Sequence, residues 1–154
     1  MKITAWRIFK KKHKTSAFTG EGARRFGGRW NSRGVPVIYT SESPSLAVLE
    51  ILVHLEAREI LDAYLLASVN FDDIFVKSVP LKKLPSNWRN EPAPAALQEI
   101  GDRWIARGES AVLRVPSAII PTEFNYLMNP AHSDFARCLW GKVRPFQIDR
   151  RLVK

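Results

Sequence analysis

The chain has 154 residues, 45% of them hydrophobic and five of them tryptophan, which is enough for one ordinary domain to bury a core without disulfide or metal staples. A single cysteine, Cys138, excludes an internal disulfide; the start MKITAWRIF is too short and too charged for a signal peptide, and no apolar run approaches the roughly 18 residues of a membrane span, so a cytoplasmic protein with no membrane role is expected. The formal net charge of +9 lies wholly in the first quarter, where residues 1–41 carry ten Lys or Arg against Glu21 alone and the rest of the chain balances, which favours an anionic partner: nucleic acid, a phosphate-bearing small molecule or an acidic protein.

Thr4 to Phe9 has the β-branched and aromatic content of a first strand, with Trp6 and Ile8 on one side and Arg7 and Phe9 on the other. Arg7 then points either into a site or into solvent. From Lys10 to Phe26 there is no periodicity, and Gly20 and Gly22 read as parts of a long loop. Its run Lys10-Lys11-Lys12-His13-Lys14 suits a solvated loop as well as a binding role.

Gly27 and Gly28 allow a close backbone approach and are followed at once by Arg29 and Trp30, an anion-binding fork beside a flat aromatic surface. Val35 to Tyr39 reads as a strand. Ser43 and Pro44 have the chemistry of an N-cap and first helical residue, which predicts a helix from Pro44 to about Glu56. Glu50 is the one charge in its apolar first part, SLAVLEILVHL, and a buried carboxylate there needs a partner or a wet cavity. Two arrangements satisfy it. Either Glu50 pairs with an arginine at the core edge or lies on a half-exposed face, or Glu50 and His54, four residues apart, line a polar pocket opposite Arg29 and Tyr39.

Further along, Leu65 to Phe71 reads as a strand, and Pro80 and Pro85 limit anything in Phe75 to Leu84 to a sheet edge. A turn-rich connection, Asn87 to Pro94, leads to a second helix over Ala95 to Ala106, closed by Gly108. Ala111 to Val115 is the clearest buried strand. Three prolines break up Pro116 to Pro130, leaving Phe124 to Met128 as its strand. His132 to Leu139 suits a short helix, Pro145 to Asp149 a closing strand, and Arg150 to Lys154 a basic tail.

Several chemistries are poorly served. The histidines His13, His54 and His132 lack zinc-site spacing, so no metal is expected; no serine sits in a Gly-x-Ser-x-Gly elbow, and phosphate-binding glycine signatures are absent. What remains is a basic, aromatic, single-carboxylate set. It suits loss of a leaving group from a ribosyl carbon: Glu50 would face the oxocarbenium-like charge, an arginine fork would hold a pyrophosphate and a tyrosine or tryptophan ring would stack on a base.

Gly27-Gly28-Arg29-Trp30-Asn31, Val37-Ile38-Tyr39-Thr40-Ser41, Leu46-Ala47-Val48-Leu49-Glu50, Val115-Pro116-Ser117, Asn125 to His132 and Phe146 to Leu152, taken in that order over nearly the whole chain, resemble the RES domain. The arginine, glutamate and serine of that family's name would be Arg29, Glu50 and Ser117. The resemblance implies a single α+β domain over 1–154, like the ADP-ribosyltransferase fold, with mixed small β-sheets and flanking helices. It further implies the toxin half of a bacterial type II toxin–antitoxin module that depletes NAD, its substrate, by hydrolysis or phosphorolysis at the nicotinamide–ribose bond, or that transfers ADP-ribose to a protein. The implied partner is an Xre-like helix-turn-helix antitoxin, through which alone DNA would be contacted. Arg29 would bind NAD phosphate, Tyr39 stack near the nicotinamide, Glu50 orient the ribose and stabilise the cation, Ser117 help hold NAD, and Arg7 serve as a second phosphate ligand. Ser117 also reads as a strand-ending turn and Tyr39 as core packing, while Asn31 and Asn129 suit turn stabilisers. The rivals are a nucleic-acid-binding module or ribonuclease using the basic first quarter, and a silent scaffold of the same fold.

Overall fold

A computed structural model describes residues 1–153. Eight strands form one sheet: β1 (Lys2–Lys10), β2 (Ile38–Ser41), β3 (Tyr64–Asp72), β4 (Val76–Ser78), β5 (Val112–Pro116), β6 (Phe124–Met128), β7 (Leu139–Trp140) and β8 (Arg144–Phe146). Their order is β4-β5-β6-β2-β1-β3-β7, with β8 also on β3, and every pairing is antiparallel except β4 with β5. The α+β class is as expected, but the strands join in one continuous sheet where several small ones were anticipated. β4 is an edge strand, as its neighbouring prolines require.

Three α-helices accompany the sheet: α1 (Glu21–Phe26), α2 (Pro44–Leu52) and α3 (Ala95–Arg107). The stretch read as an open loop, Lys10 to Phe26, contains a 3-10 turn at Lys11–Ser16 and then α1. Gly20, in left-handed conformation at φ 78°, starts α1, and Glu21 pairs with Arg24 one turn on. α2 begins as its sequence dictates, with the Ser43 side chain accepting from the Leu46 N–H and Pro44 at the first turn. It stops at Leu52, short of Glu56, because Glu56 and Glu59 form a reciprocal capping box that starts a separate 3-10 turn at Ala57–Leu61. α3 ends at Gly108, left-handed at φ 56°. The segment after His132 forms a 3-10 turn, Ser133–Arg137, then β7, and Arg150–Leu152 forms a last 3-10 turn.

Strand alternation and the pairing register sort the side chains onto two faces. One face carries Trp6 and Ile8 of β1, Tyr39 and Ser41 of β2, Asn125 and Leu127 of β6, and Leu113 and Val115 of β5. α2 covers one end of it, with Ala47, Val48 and Ile51 packed on Trp6, Ile8 and Tyr64. α3 covers the other, with Leu97 and Trp104 packed on Trp30, Leu113 and Leu127. The opposite face holds a separate core around Ala5, Ile38, Val69, Phe71, Tyr126 and Met128. Between the two helix-covered patches the sheet surface is polar, and the candidate site lies there.

Candidate active site

Glu50 sits in the last turn of α2. Its Oε1 accepts from the Ser117 hydroxyl at 2.7 Å and from the Asn125 Nδ2 at 2.6 Å. Ser117 is fully buried at the end of β5, and its Oγ also accepts from the Ile119 and Ile120 N–H groups. A hydroxyl has one proton and two lone pairs, so with both lone pairs engaged the proton goes to Glu50. Ser117 therefore both ends the strand as a turn residue and grips the carboxylate. The Asn125 Oδ1 in turn accepts from the Ser41 hydroxyl at 2.8 Å. Among the described residues no donor reaches Glu50 Oε2, which keeps contact with solvent.

Arg29 lies in the loop between α1 and β2. Its Nη1 donates to the backbone oxygens of Trp88 and Asn90, both at 3.0 Å, and its Nη2 to Glu91 Oε2 at 2.9 Å. A guanidinium has five N–H donors, so Nε and one Nη2 proton remain for a ligand. The loop is pinned from both sides. Gln98 of α3 donates to the Gly28 and Asn31 oxygens, Asp102 accepts from the Ser32 N–H, and the helix crosses so closely that a Cβ on Gly101 would lie 1.7 Å from the Trp30 oxygen. From the sheet side, the Tyr39 hydroxyl donates to Asn31 Oδ1 at 2.5 Å and accepts from the Trp30 N–H at 3.2 Å. Gly28 faces that hydroxyl, where a Cβ would meet it at 2.7 Å. Burial above all pushes the Tyr39 phenol well above its ordinary range, opposed by the Trp30 N–H and the Arg29 charge, so it stays protonated as a strut.

Arg29 and Glu50 are thus carried on one face of the sheet. Tyr39 props the Arg29 loop, and Ser41, two residues along the same strand and so about 7 Å away, begins the chain of hydrogen bonds to Glu50. Arg7 is not part of this group. It projects from the opposite face, where its Nε donates to the Ala17 oxygen and its Nη1 to the Tyr39 oxygen, and desolvation lowers it to about 10. Trp30 is no aromatic platform, being 2% exposed in the core beneath α3. His54 does not join Glu50: α2 has ended by Leu52 and the imidazole is exposed. Asn31 and Asn129 act within turns, Asn31 donating to the Ala23, Ser32 and Val35 oxygens and Asn129 accepting from the Ala131 N–H. Sequence reasoning missed Ser41, Gln98, Asp102 and Asn125. The signal for Asn125 was an amide at an inward position of an otherwise apolar strand, and for Gly101 a glycine within a helix.

No three His, Cys, Asp or Glu side chains converge as a metal site among the described residues, and none of the helices is long and apolar enough to cross a membrane. The chain matches the RES domain over residues 4–149. A Yersinia enterocolitica protein named Toxin Res is 40% identical over 149 residues, 96% of this chain and 97% of its own. A Sphingobium protein named Prs ADP-ribosylating toxin is 35% identical over 159 residues, 100% of this chain and 99% of its own. A chain of the crystal structure of the M. tuberculosis MbcT–MbcA toxin–antitoxin complex shares the fold with a TM-score of 0.77 at 19% identity, over 99% of this chain and 87% of that one. The matched span and these identities place the chain in the RES domain family.

Proposed function

We propose that residues 1–154 form one RES domain that acts as the toxin of a bacterial toxin–antitoxin pair and cleaves the nicotinamide–ribose bond of NAD. The observation that carries this reading is the Glu50 carboxylate, with one oxygen clamped by Ser117 and Asn125 and the other open to solvent on the face that also bears the Arg29 loop. When the bond between C1′ and the pyridinium nitrogen breaks, its electron pair leaves with neutral nicotinamide and C1′ becomes cationic. Glu50 Oε2 faces that charge, and the unused donors of Arg29 take a phosphate oxygen of NAD. Water or phosphate then supplies an electron pair to C1′ and gives up a proton. The name Toxin Res supports a toxin, and the MbcT–MbcA complex supports an antitoxin partner; we take that partner to be of the Xre-like helix-turn-helix type and the pair to act in the cytoplasm.

The name of the Sphingobium relative supports a second acceptor, a protein side chain that would become ADP-ribosylated. The nucleic-acid reading is weaker: of the basic first quarter, Lys10 is paired with Glu59 and Asp62, Arg24 with Glu21 and Arg29 with Glu91, while Arg7 is bound to backbone. The test is nicotinamide release from NAD by the purified protein, beside a melting curve. Wild type is expected to turn over, and Arg29→Ala and Glu50→Ala to lose turnover by two or more orders of magnitude while staying folded, on the scale typical of electrostatic stabilisation. Wild type that neither binds NAD nor releases nicotinamide refutes the reading, and full turnover by Glu50→Ala removes the carboxylate from it.

A further inference from the structure

We infer that Asn125, held by Ser41, is a positioning residue that fixes which oxygen of Glu50 meets the substrate. The inference rests on the NAD-cleaving reading and adds to it two residues outside the arginine, glutamate and serine for which the family is named. The geometry leaves one polarity only. An ionised carboxylate accepts and cannot donate, so the Asn125 atom 2.6 Å from Glu50 Oε1 is the amide nitrogen. The amide oxygen then faces Ser41, whose hydroxyl must donate, as its 2.8 Å contact allows. Both partners are buried, Ser41 at 4% and Asn125 at 8% exposure, so water cannot easily take over either role.

Ser117 by itself would leave the carboxylate free to pivot about a single hydrogen bond. A second donor on the same oxygen, arriving from β6, removes that freedom and keeps Oε2 as the outward oxygen. The chemistry needs this, because a fixed negative charge stabilises a developing cation better than one that must reorient as the charge appears.

The experiment compares steady-state nicotinamide release and melting temperature for wild type, Ser41→Ala, Ser41→Thr, Asn125→Ala and Asn125→Asp. Ser41→Ala is expected to lower kcat by roughly tenfold with KM nearly unchanged, the effect of loosening a bond to a charged group, and Ser41→Thr, which keeps the hydroxyl, to recover most of it. Asn125→Asp preserves shape but sets a second carboxylate against Glu50, so it is expected to lose more kcat than Asn125→Ala. A purely structural role predicts the reverse order, with kcat following the folded fraction. Should Asn125→Ala fail to fold, the Ser41 pair decides. An active wild type whose Ser41→Ala and Asn125→Ala variants keep its kcat overturns this proposal alone; a wild type that releases no nicotinamide overturns it together with the reading beneath it.

Discussion

Gly101→Ala offers a test in which two effects oppose each other. By helix preference alone, alanine in the interior of α3 should stabilise the protein by about 1 kcal/mol. The structure requires the opposite sign. The new Cβ would sit 1.7 Å from the Trp30 oxygen and 2.8 Å from its carbonyl carbon, whereas real Cβ contacts do not fall below 3.0 Å. Both atoms are backbone, so the helix must move outward by more than 1 Å from the Arg29 loop. A shift of that size stretches the 3.0 and 3.2 Å bonds from Gln98, and the 2.9 Å bond to Asp102, beyond hydrogen-bonding range. Overpacking of roughly 1–3 kcal/mol and about 1 kcal/mol for each of the three lost bonds exceed the gain in propensity, for a net loss of roughly 3–5 kcal/mol. For a chain of this length that lowers the Tm by roughly 6–20 °C. Thermal unfolding of Gly101→Ala beside Gly22→Ala provides the control. Gly22 in α1 has nothing within 4 Å of its would-be Cβ, and there alanine is expected to hold or raise the Tm. A Gly101→Ala protein as stable as wild type would refute the close crossing and, with it, the account of how the Arg29 loop is held.

Glu91→Gln is expected to tighten NAD binding a few-fold, measured by titration at low salt. Glu91 is 75% exposed and pairs with Arg29, so under the proposed role of Arg29 it would compete with an incoming phosphate, and the gain should shrink as salt is added. Tyr39→Phe removes the group between the Trp30 N–H and Asn31 Oδ1 and is expected to cost about 1–3 kcal/mol in chemical denaturation. It should also alter the alkaline limb of stability. A phenol raised above its ordinary 10.0 on folding contributes fully below that pH and loses its contribution as pH rises beyond it, so wild type should lose Tm more steeply above pH 10 than Tyr39→Phe does. Equal slopes would remove Tyr39 from the buried strut.

The features legible in the sequence were those with short-range causes. Ser43-Pro44 announced α2, Gly108 closed α3, and Phe124–Met128 was bounded by turns and prolines. The end of α2 was missed because the capping box of the next turn competes for the chain, and α1 because its glycines resemble a loop. Trp30 looks like a platform in the sequence, since nothing nearby shows that α3, some 70 residues later, closes over it at Gly101. Of the site, Glu50 stood out as a lone charge among apolar neighbours. Asn125 did not, because its meaning depends on which strand β6 pairs with and which helix lies above.

The carboxylate and its two donors are separated by 67 and 75 residues of chain. β1 sits inside the sheet between β2 and β3, and β2 waits for β6 to supply its other neighbour. A nascent polypeptide emerging from the ribosome at residue 110 already contains Arg29, Tyr39 and Glu50 but neither Ser117 nor Asn125. Translation interrupted before Ser117 therefore yields fragments in which the Glu50 carboxylate lacks both of its donors.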